Sequence, residues 1–466
     1  MPDSSPLQES MLSLAGQRDL FEQAKSYAYA YMDGISGRSV FPGAEALKNL
    51  QIFDEALPEK PCDPGEMLRL LHEYGSPATV ATTGPRYFGL VVGGVFPPVL
   101  AVKWLADVWD QLSTLYVTSP VTARLEAVCE KWLVEILGLP AGSAAGFVGG
   151  SSMATLCGLA AGRHELLRRQ GWDVNAAGLF GAPPIRVVVG AEAHGTVFKA
   201  LALLGLGRER VEWAPVDEQG RIRAGSLPEL DSRTLLILQA GNVNSGAFDP
   251  LDELCERARS AGAWVHIDGA FGLWAAASAG KRHLTRGLEK ADSWSVDGHK
   301  TLNTPYDSGV VICKNREALA AAMQASGSYI LYGENRDGML YTPDMSRRSR
   351  AIELWATLKS IGKSGVEQLV DGLCERAGQF ARLVGAQGFR VLNDVVFNQV
   401  LVACDSPEQT AAVLKNLQDS GECWCGGARW HDTPVIRVSV SSWATTAADI
   451  ERTAAAFVKA REKSAG

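Results

Sequence analysis

Nowhere does the chain carry about 18 consecutive apolar residues, so no membrane-spanning helix is expected. The opening stretch MPDSSPLQES lacks the basic and apolar regions of a secretory signal. There is no cationic excess: 45 Lys and Arg stand against 52 Asp and Glu, a net charge of −7, so a nucleic-acid partner is not expected. The nine cysteines are odd in number and irregularly spaced, which argues against a disulfide framework and for a reducing, cytoplasmic setting. Cys423 and Cys425 have no second Cys/His pair at zinc-site spacing, so no metal is expected. The glycine-rich turn at 149–152 is followed by no Gly-Lys-Ser/Thr and does not read G-x-G-x-x-G, which sets aside nucleotide-triphosphate and dinucleotide sites there. Internal repeats and low-complexity segments are also absent.

What is present is ordinary globular material in quantity. With 466 residues, 46% of them hydrophobic, the chain can bury a sizeable core. Three zones follow from the patterning. Residues 1–95 hold helix-like segments such as LFEQAKSYAYAYM between Pro/Gly-rich connections. Residues 96–365 alternate helical patterns with short apolar runs (IRVVVG, TLLILQAG, WVHIDGA, GVVICK), which predicts an α/β unit around a mainly parallel sheet covered on both faces. Residues 366–466 read as a smaller α+β domain, with a helix over 407–420, strands in NQVLVAC and VIRVSVSS, and a terminal helix.

Ligands of open α/β sheets bind at the carboxyl ends of strands. The polar residues that follow the apolar runs are therefore the candidates: GGSS (149–152), EAHG (192–195), GNVN (241–244), HIDGA (266–270) and DGHK (297–300). GFVGGSSMATL reads as strand, tight turn and helix start, a natural phosphate cradle. Asp268 ends an apolar strand, where a carboxylate can hold a protonated ring nitrogen. Lys300 at another strand end is placed to be desolvated, which favours imine formation. A phosphate cradle, a carboxylate and an imine-forming lysine are the needs of pyridoxal 5′-phosphate. Each feature alone has an ordinary reading as a cap, a turn or a surface lysine.

Taken in order, PRYFG (85–89), SPVTARLE (119–126), GGSSMATL, AHGTVFKA, AGNVNSGAFDP, HIDGAFG, DGHK and SRRSRAIELW resemble the group II pyridoxal-phosphate-dependent amino-acid decarboxylases, which share the aspartate-aminotransferase fold, fold type I. The resemblance covers almost the whole chain. It implies fold type I with a helical N-terminal dimerisation segment, and decarboxylation of an L-amino acid, aromatic or bulky and apolar, to an amine and CO₂. It also implies a homodimer with shared sites. Lys300 would carry the cofactor, Asp268 would pair with its ring nitrogen, and His194 and Ala270 would cover its two faces. Ser151 and Ser152 would hold the phosphate with His299 nearby, and Asn242 would lie near the ring's 3-oxygen. Tyr329 would be the proton donor of a mobile loop.

Departures accompany the likeness. Asn242 stands where Thr is frequent. Asp297 would bring a negative charge towards a phosphate and is left out of the site. Leu90, Val91 and Val92 replace aromatic or polar residues and imply an apolar side-chain pocket. His266, Trp264 and Cys157 read as core residues, and Arg437 reads as structural rather than as a carboxylate clamp. The same cofactor set also suits an aldehyde synthase, a carbon–carbon lyase or an aminotransferase, and a non-catalytic scaffold would keep the same fold.

Overall fold

The run TLLILQ is buried at every position, as a strand covered on both faces must be. It is one of the seven strands of the larger sheet. The computed structural model describes residues 5–324 and 335–464. Its larger sheet contains β1 (Ala144–Val148), β2 (Arg186–Gly190), β3 (Val211–Ala214), β4 (Thr234–Gln239), β5 (Trp264–Asp268), β6 (Ser293–Asp297) and β7 (Gly309–Cys313). The order is β1-β7-β6-β5-β4-β2-β3. Only β7 runs against its neighbours; it pairs antiparallel with both β1 and β6. The other pairings are parallel. The carboxyl ends of β1, β2, β4, β5 and β6 therefore share one edge, where β7 begins.

The helix Ser151–Arg169 covers one face of this sheet. Its glycines allow the contact: a Cβ on Gly158 would lie 2.6 Å from the His266 ring, and one on Gly162 would lie 2.8 Å from Trp264. Cys157 of this helix is fully buried, and burial pushes its thiol well above the usual range, so it is a packing residue.

His266 is fully buried on β5. Its Nδ1 lies 2.9 Å from Ser293 Oγ, which also accepts a bond of 3.1 Å from Trp264 Nε1. The second ring nitrogen has no partner among the described residues. Burial holds the pKa of His266 at about 3, against an ordinary 6.5. The unfolded chain thus takes up the proton first as pH falls, and stability drops from about pH 6.5 towards about pH 3. At pH 5 the contribution is on the order of 2 kcal/mol. Urea titrations between pH 7 and pH 4.5 should show a steeper acid loss for the wild type than for His266→Asn; parallel slopes would show that another group governs the acid limb.

A second, antiparallel sheet is built from β8 (Arg390–Val391), β9 (Gln399–Ala403), β10 (Gly426–Trp430) and β11 (Thr433–Ser439), in the order β10-β11-β9-β8. The helices Pro407–Ser420 and Ala447–Ser464 pack against it through Val413, Leu417, Ile450 and Phe457. The helical stretch Ala351–Ala386 is broken at Gly362 (φ 61°, ψ −177°), a conformation that suits glycine. Among the described residues, no helix is long and apolar enough to cross a membrane.

Two motifs far apart in sequence meet inside the protein. Glu126 accepts from Arg347 at 2.8 Å and from Arg336 at 3.1 Å, and the Glu126 and Arg347 side chains are both 1% exposed. Burial alone would raise the Glu126 carboxyl, but the two guanidiniums outweigh it and hold it below the usual range. This ion cluster joins SPVTARLE to SRRSRAIELW.

Candidate active site

Two glycines and a reversed strand build the cradle. Gly309, the first residue of β7, stands opposite both Val148 and Asp297. A Cβ there would fall 2.3 Å from Gly150 Cα, so only glycine lets the turn between β1 and the helix Ser151–Arg169 settle onto the strand end. A Cβ on Gly150 would in turn lie 3.3 Å from His299 Cε1 and 3.6 Å from Asp297 Oδ1. Ser151 is buried at the helix start and Ser152 is exposed. A helix start of this kind can seat an anion.

His299 accepts from Ser308 N–H through Nδ1 at 3.0 Å, so its proton sits on Nε2. Burial lowers its pKa and keeps the ring neutral, although the charge of Asp297 pulls the other way. Its ring stacks on Tyr306 with centroids 4.2 Å apart. Lys300 follows, partly buried, with Nζ 2.9 Å from Asp297 Oδ2. The backbone of Lys300 is tightly enclosed. Gly93 N–H donates to His299 C=O at 3.0 Å, and a Cβ on Gly93 would lie 2.2 Å from the Lys300 carbonyl oxygen. Asn303 (φ 59°) is fully buried and binds three segments at once. Its Nδ2 donates to Thr301 C=O (2.8 Å) and Ser441 C=O (2.9 Å), and its Oδ1 accepts from Gly94 N–H (2.6 Å) and Trp443 N–H (2.9 Å).

Asp268 is 8% exposed at the end of β5. It is oriented by a chain of hydroxyls: Thr155 donates to Ser295 at 3.0 Å, and Ser295 donates to Asp268 Oδ1 at 3.3 Å. Ala270 N–H donates to the same oxygen at 3.2 Å, which leaves Oδ2 available to a ligand. His194 caps the helix Gly195–Leu203, its Nδ1 accepting from Thr196 N–H at 3.3 Å. The surrounding protein lowers the His194 pKa, and the charges of Asp268, Lys300, Arg437 and Asp297 all act on it. Asp268, Asp297 and Lys300 meet at the ends of the adjacent strands β5 and β6, and His194 follows β2 at the same sheet edge. Ala270 lies partly buried two residues beyond Asp268.

Not every expected residue points the same way. Asn242 is 1% exposed and serves its own turn: Oδ1 accepts from Asn244 and Ser245 N–H, and Nδ2 donates to Glu192 C=O at 3.0 Å. Leu90, Val91 and Val92 do not form one pocket wall. Val91 is 1% exposed within the core, whereas Leu90 is 65% exposed. Both adopt positive φ (53° and 56°), and a β-branched residue in that region is strained. His266 and Trp264 are core residues. Tyr329 lies outside the described residues. Asp297, set aside in the sequence for its charge, is central to the cluster, and Ser295, Thr155, Gly93 and Asn303 are further members. Only Ser295, two residues before Asp297 on one strand face, had a signal in the spacing.

Residues 47–403 match the family model of the pyridoxal-dependent decarboxylase conserved domain. This chain belongs to that family. The decarboxylase is 27% identical over 375 residues to the aromatic-L-amino-acid decarboxylase of Bacillus atrophaeus, covering 77% of this chain and 75% of the relative. It is also 27% identical over 370 residues to an acidic amino acid decarboxylase of Mus musculus, covering 74% and 64%. A solved structure of Oryza sativa TDC with PLP and tryptamine superposes with a TM-score of 0.88 at 20% identity, covering all of both chains. The fold is thus fold type I, the cofactor is pyridoxal 5′-phosphate, and the enzyme is an amino-acid carboxy-lyase. The residues present fit that group: a glycine cradle that a Cβ would fill, a neutral histidine with its Nε2 proton, a carboxylate with a spare oxygen, and a lysine at the same sheet edge.

Proposed function

We propose that the decarboxylase acts on an L-amino acid with an aromatic or bulky apolar side chain, using Lys300, Asp268 and His194 at the sheet edge. The observation that carries the assignment is that Asp268 and Asp297 end adjacent strands and Lys300 Nζ lies 2.9 Å from Asp297 Oδ2, at the sheet edge where His194 starts the helix that follows β2. Pyridoxal phosphate, when bound, supplies an electron sink for the bond to the departing carboxylate. Ser151, Ser152 and the helix start would hold its phosphate together with His299 Nε2–H, and Asp268 would hold the positive charge at its ring nitrogen. His194 and Ala270 would cover its two faces. Lys300 would bind its carbonyl carbon and move a proton, and Tyr329 would deliver a proton to the substrate's Cα.

The likeness to the aromatic-L-amino-acid decarboxylase of Bacillus atrophaeus supports the substrate class. Arg437 favours a second reading. Among the described residues no carboxylate pairs with it; its Nη1 reaches only Val243 C=O at 3.3 Å and Asn244 Oδ1 at 3.5 Å. An anionic substrate side chain would complete it. Measuring CO₂ and amine release across the twenty amino acids separates the two. Turnover confined to Phe, Tyr, Trp or Leu supports the first, turnover of Asp or Glu the second, and keto acid or aldehyde as the main product would replace decarboxylation by another reaction of the cofactor.

Three parts are inferred, 1–95, 96–365 and 366–466, the first serving dimerisation. The helices Pro6–Ala15 and Arg18–Gly34 bury none of their residues, and Leu7, Met11, Leu12 and Phe21 stand exposed. A second copy of the chain would cover them. A cytoplasmic setting is consistent with nine free cysteines. If sites are shared between subunits, mixing Lys300→Ala with Tyr329→Phe subunits should restore part of the activity that each lacks. No recovery in a mixture shown to exchange subunits would refute sharing.

A further inference from the structure

Asp297 stands where an anion's partners are. Its carboxylate is 1% exposed, at the end of β6. Oδ1 accepts from Ser151 N–H, the first amide of the cradle helix, at 2.5 Å. Oδ2 pairs with Lys300 Nζ at 2.9 Å and lies 3.7 Å from His299 Nε2. One fixed negative charge therefore engages the first amide of the cradle helix and the lysine that would hold the carbonyl carbon, and lies close to His299. The other titratable groups that feel this charge are Tyr306, on the same connection, and His194, at the helix after β2. Neither offers a second cation: burial raises the Tyr306 hydroxyl to about 12 and keeps it neutral, while His194 is lowered.

A carboxylate and a phosphoryl dianion cannot share one helix start cheaply, because like charges a few ångströms apart disfavour double ionisation. We propose that Asp297 is an affinity-setting residue of the cradle: it competes with phosphoryl ligands for the Ser151 amide and the Lys300 ammonium, and so weakens their binding. This inference rests on the cofactor site proposed above. In it, Asp297 replaces a passive cradle by one that holds its own counter-charge, and Asn at this position would keep the hydrogen-bonding shape without that charge.

The probe is pyridoxine 5′-phosphate, which has no aldehyde and cannot join to Lys300, titrated calorimetrically into the full-length protein. At pH 8, Asp297→Asn should bind it about tenfold more tightly than the wild type. Equal or weaker binding by Asp297→Asn at pH 8 would overturn the proposal. Asp297→Ser, its folding checked by circular dichroism, supplies the same comparison should the amide variant misfold. Borohydride treatment of the wild type with pyridoxal 5′-phosphate separates the two layers. Fixation at Lys300 without an affinity gap defeats only the role of Asp297, whereas fixation elsewhere defeats the site itself.

Discussion

Lys300→Ala is expected to lower turnover by at least about 10²–10⁴-fold, the range for loss of one positioned proton-transfer group, before any loss of covalent attachment is counted. The purified wild type should be yellow, and borohydride followed by peptide mapping should place the cofactor on the peptide that contains Lys300. The variant should still retain cofactor by non-covalent contacts, because the Gly149–Ser152 cradle, His299 and Asp268 are untouched. Label on a different lysine, or an alanine variant with wild-type turnover, would remove Lys300 from the mechanism. The variant also frees Asp297 from the 2.9 Å ion pair and leaves a buried carboxylate without its nearest cation. A fall in thermal stability is therefore expected alongside the kinetic defect, and the two are read separately by melting curves and rate assays.

Asp268→Asn is the second large effect. Asparagine keeps the shape of the side chain and can still accept from Ser295 and Ala270, but it carries no charge with which to favour a protonated ring nitrogen. Loss of a charge-assisted bond of this kind is worth about 1.5–3 kcal/mol. Exerted in the transition state, that is about a tenfold to more than a hundredfold fall in kcat. Because Thr155 and Ser295 hold the carboxylate from behind, the loss should fall on kcat rather than on cofactor retention. Unaltered kcat in Asp268→Asn would show that the ring charge is not used in the rate-determining step.

The sequence made much of this legible, for a physical reason. Buried parallel strands have short, uniformly apolar patterns, and the polar residues that follow them must lie at one edge. The five motifs GGSS, EAHG, GNVN, HIDGA and DGHK therefore group together on pattern alone. The helix over 407–420 and the strands in NQVLVAC and VIRVSVSS were also visible, since each has one clear period. The two-residue β8 and the half-exposed β10 were not, because neither carries an apolar run. Asp297 was misjudged on charge alone: a carboxylate beside an anion seat looks unfavourable until its bonds to the helix amide and to Lys300 are seen. Asn242 could be placed near the site by spacing, but its side chain is claimed by its own turn, which spacing does not report. The inward turn of Val91 depends on backbone angles that the residue itself disfavours, so no pattern could have announced it.

The single reversed strand has a consequence for how the lysine is mounted. Because β7 begins at the edge where β6 ends, the connection 298–308 returns at once to the sheet instead of crossing it through a helix. Both of its ends are pinned in adjacent strands, and Gly298 N–H to Ser308 C=O (2.8 Å) and Thr304 N–H to Gly298 C=O (2.9 Å) tie it internally. The backbone freedom of Lys300 and His299 is thus lost when the protein folds rather than when a ligand arrives. Preorganisation of this sort leaves only side-chain torsions to be ordered on binding, so little of the interaction energy is consumed in arranging the nucleophile.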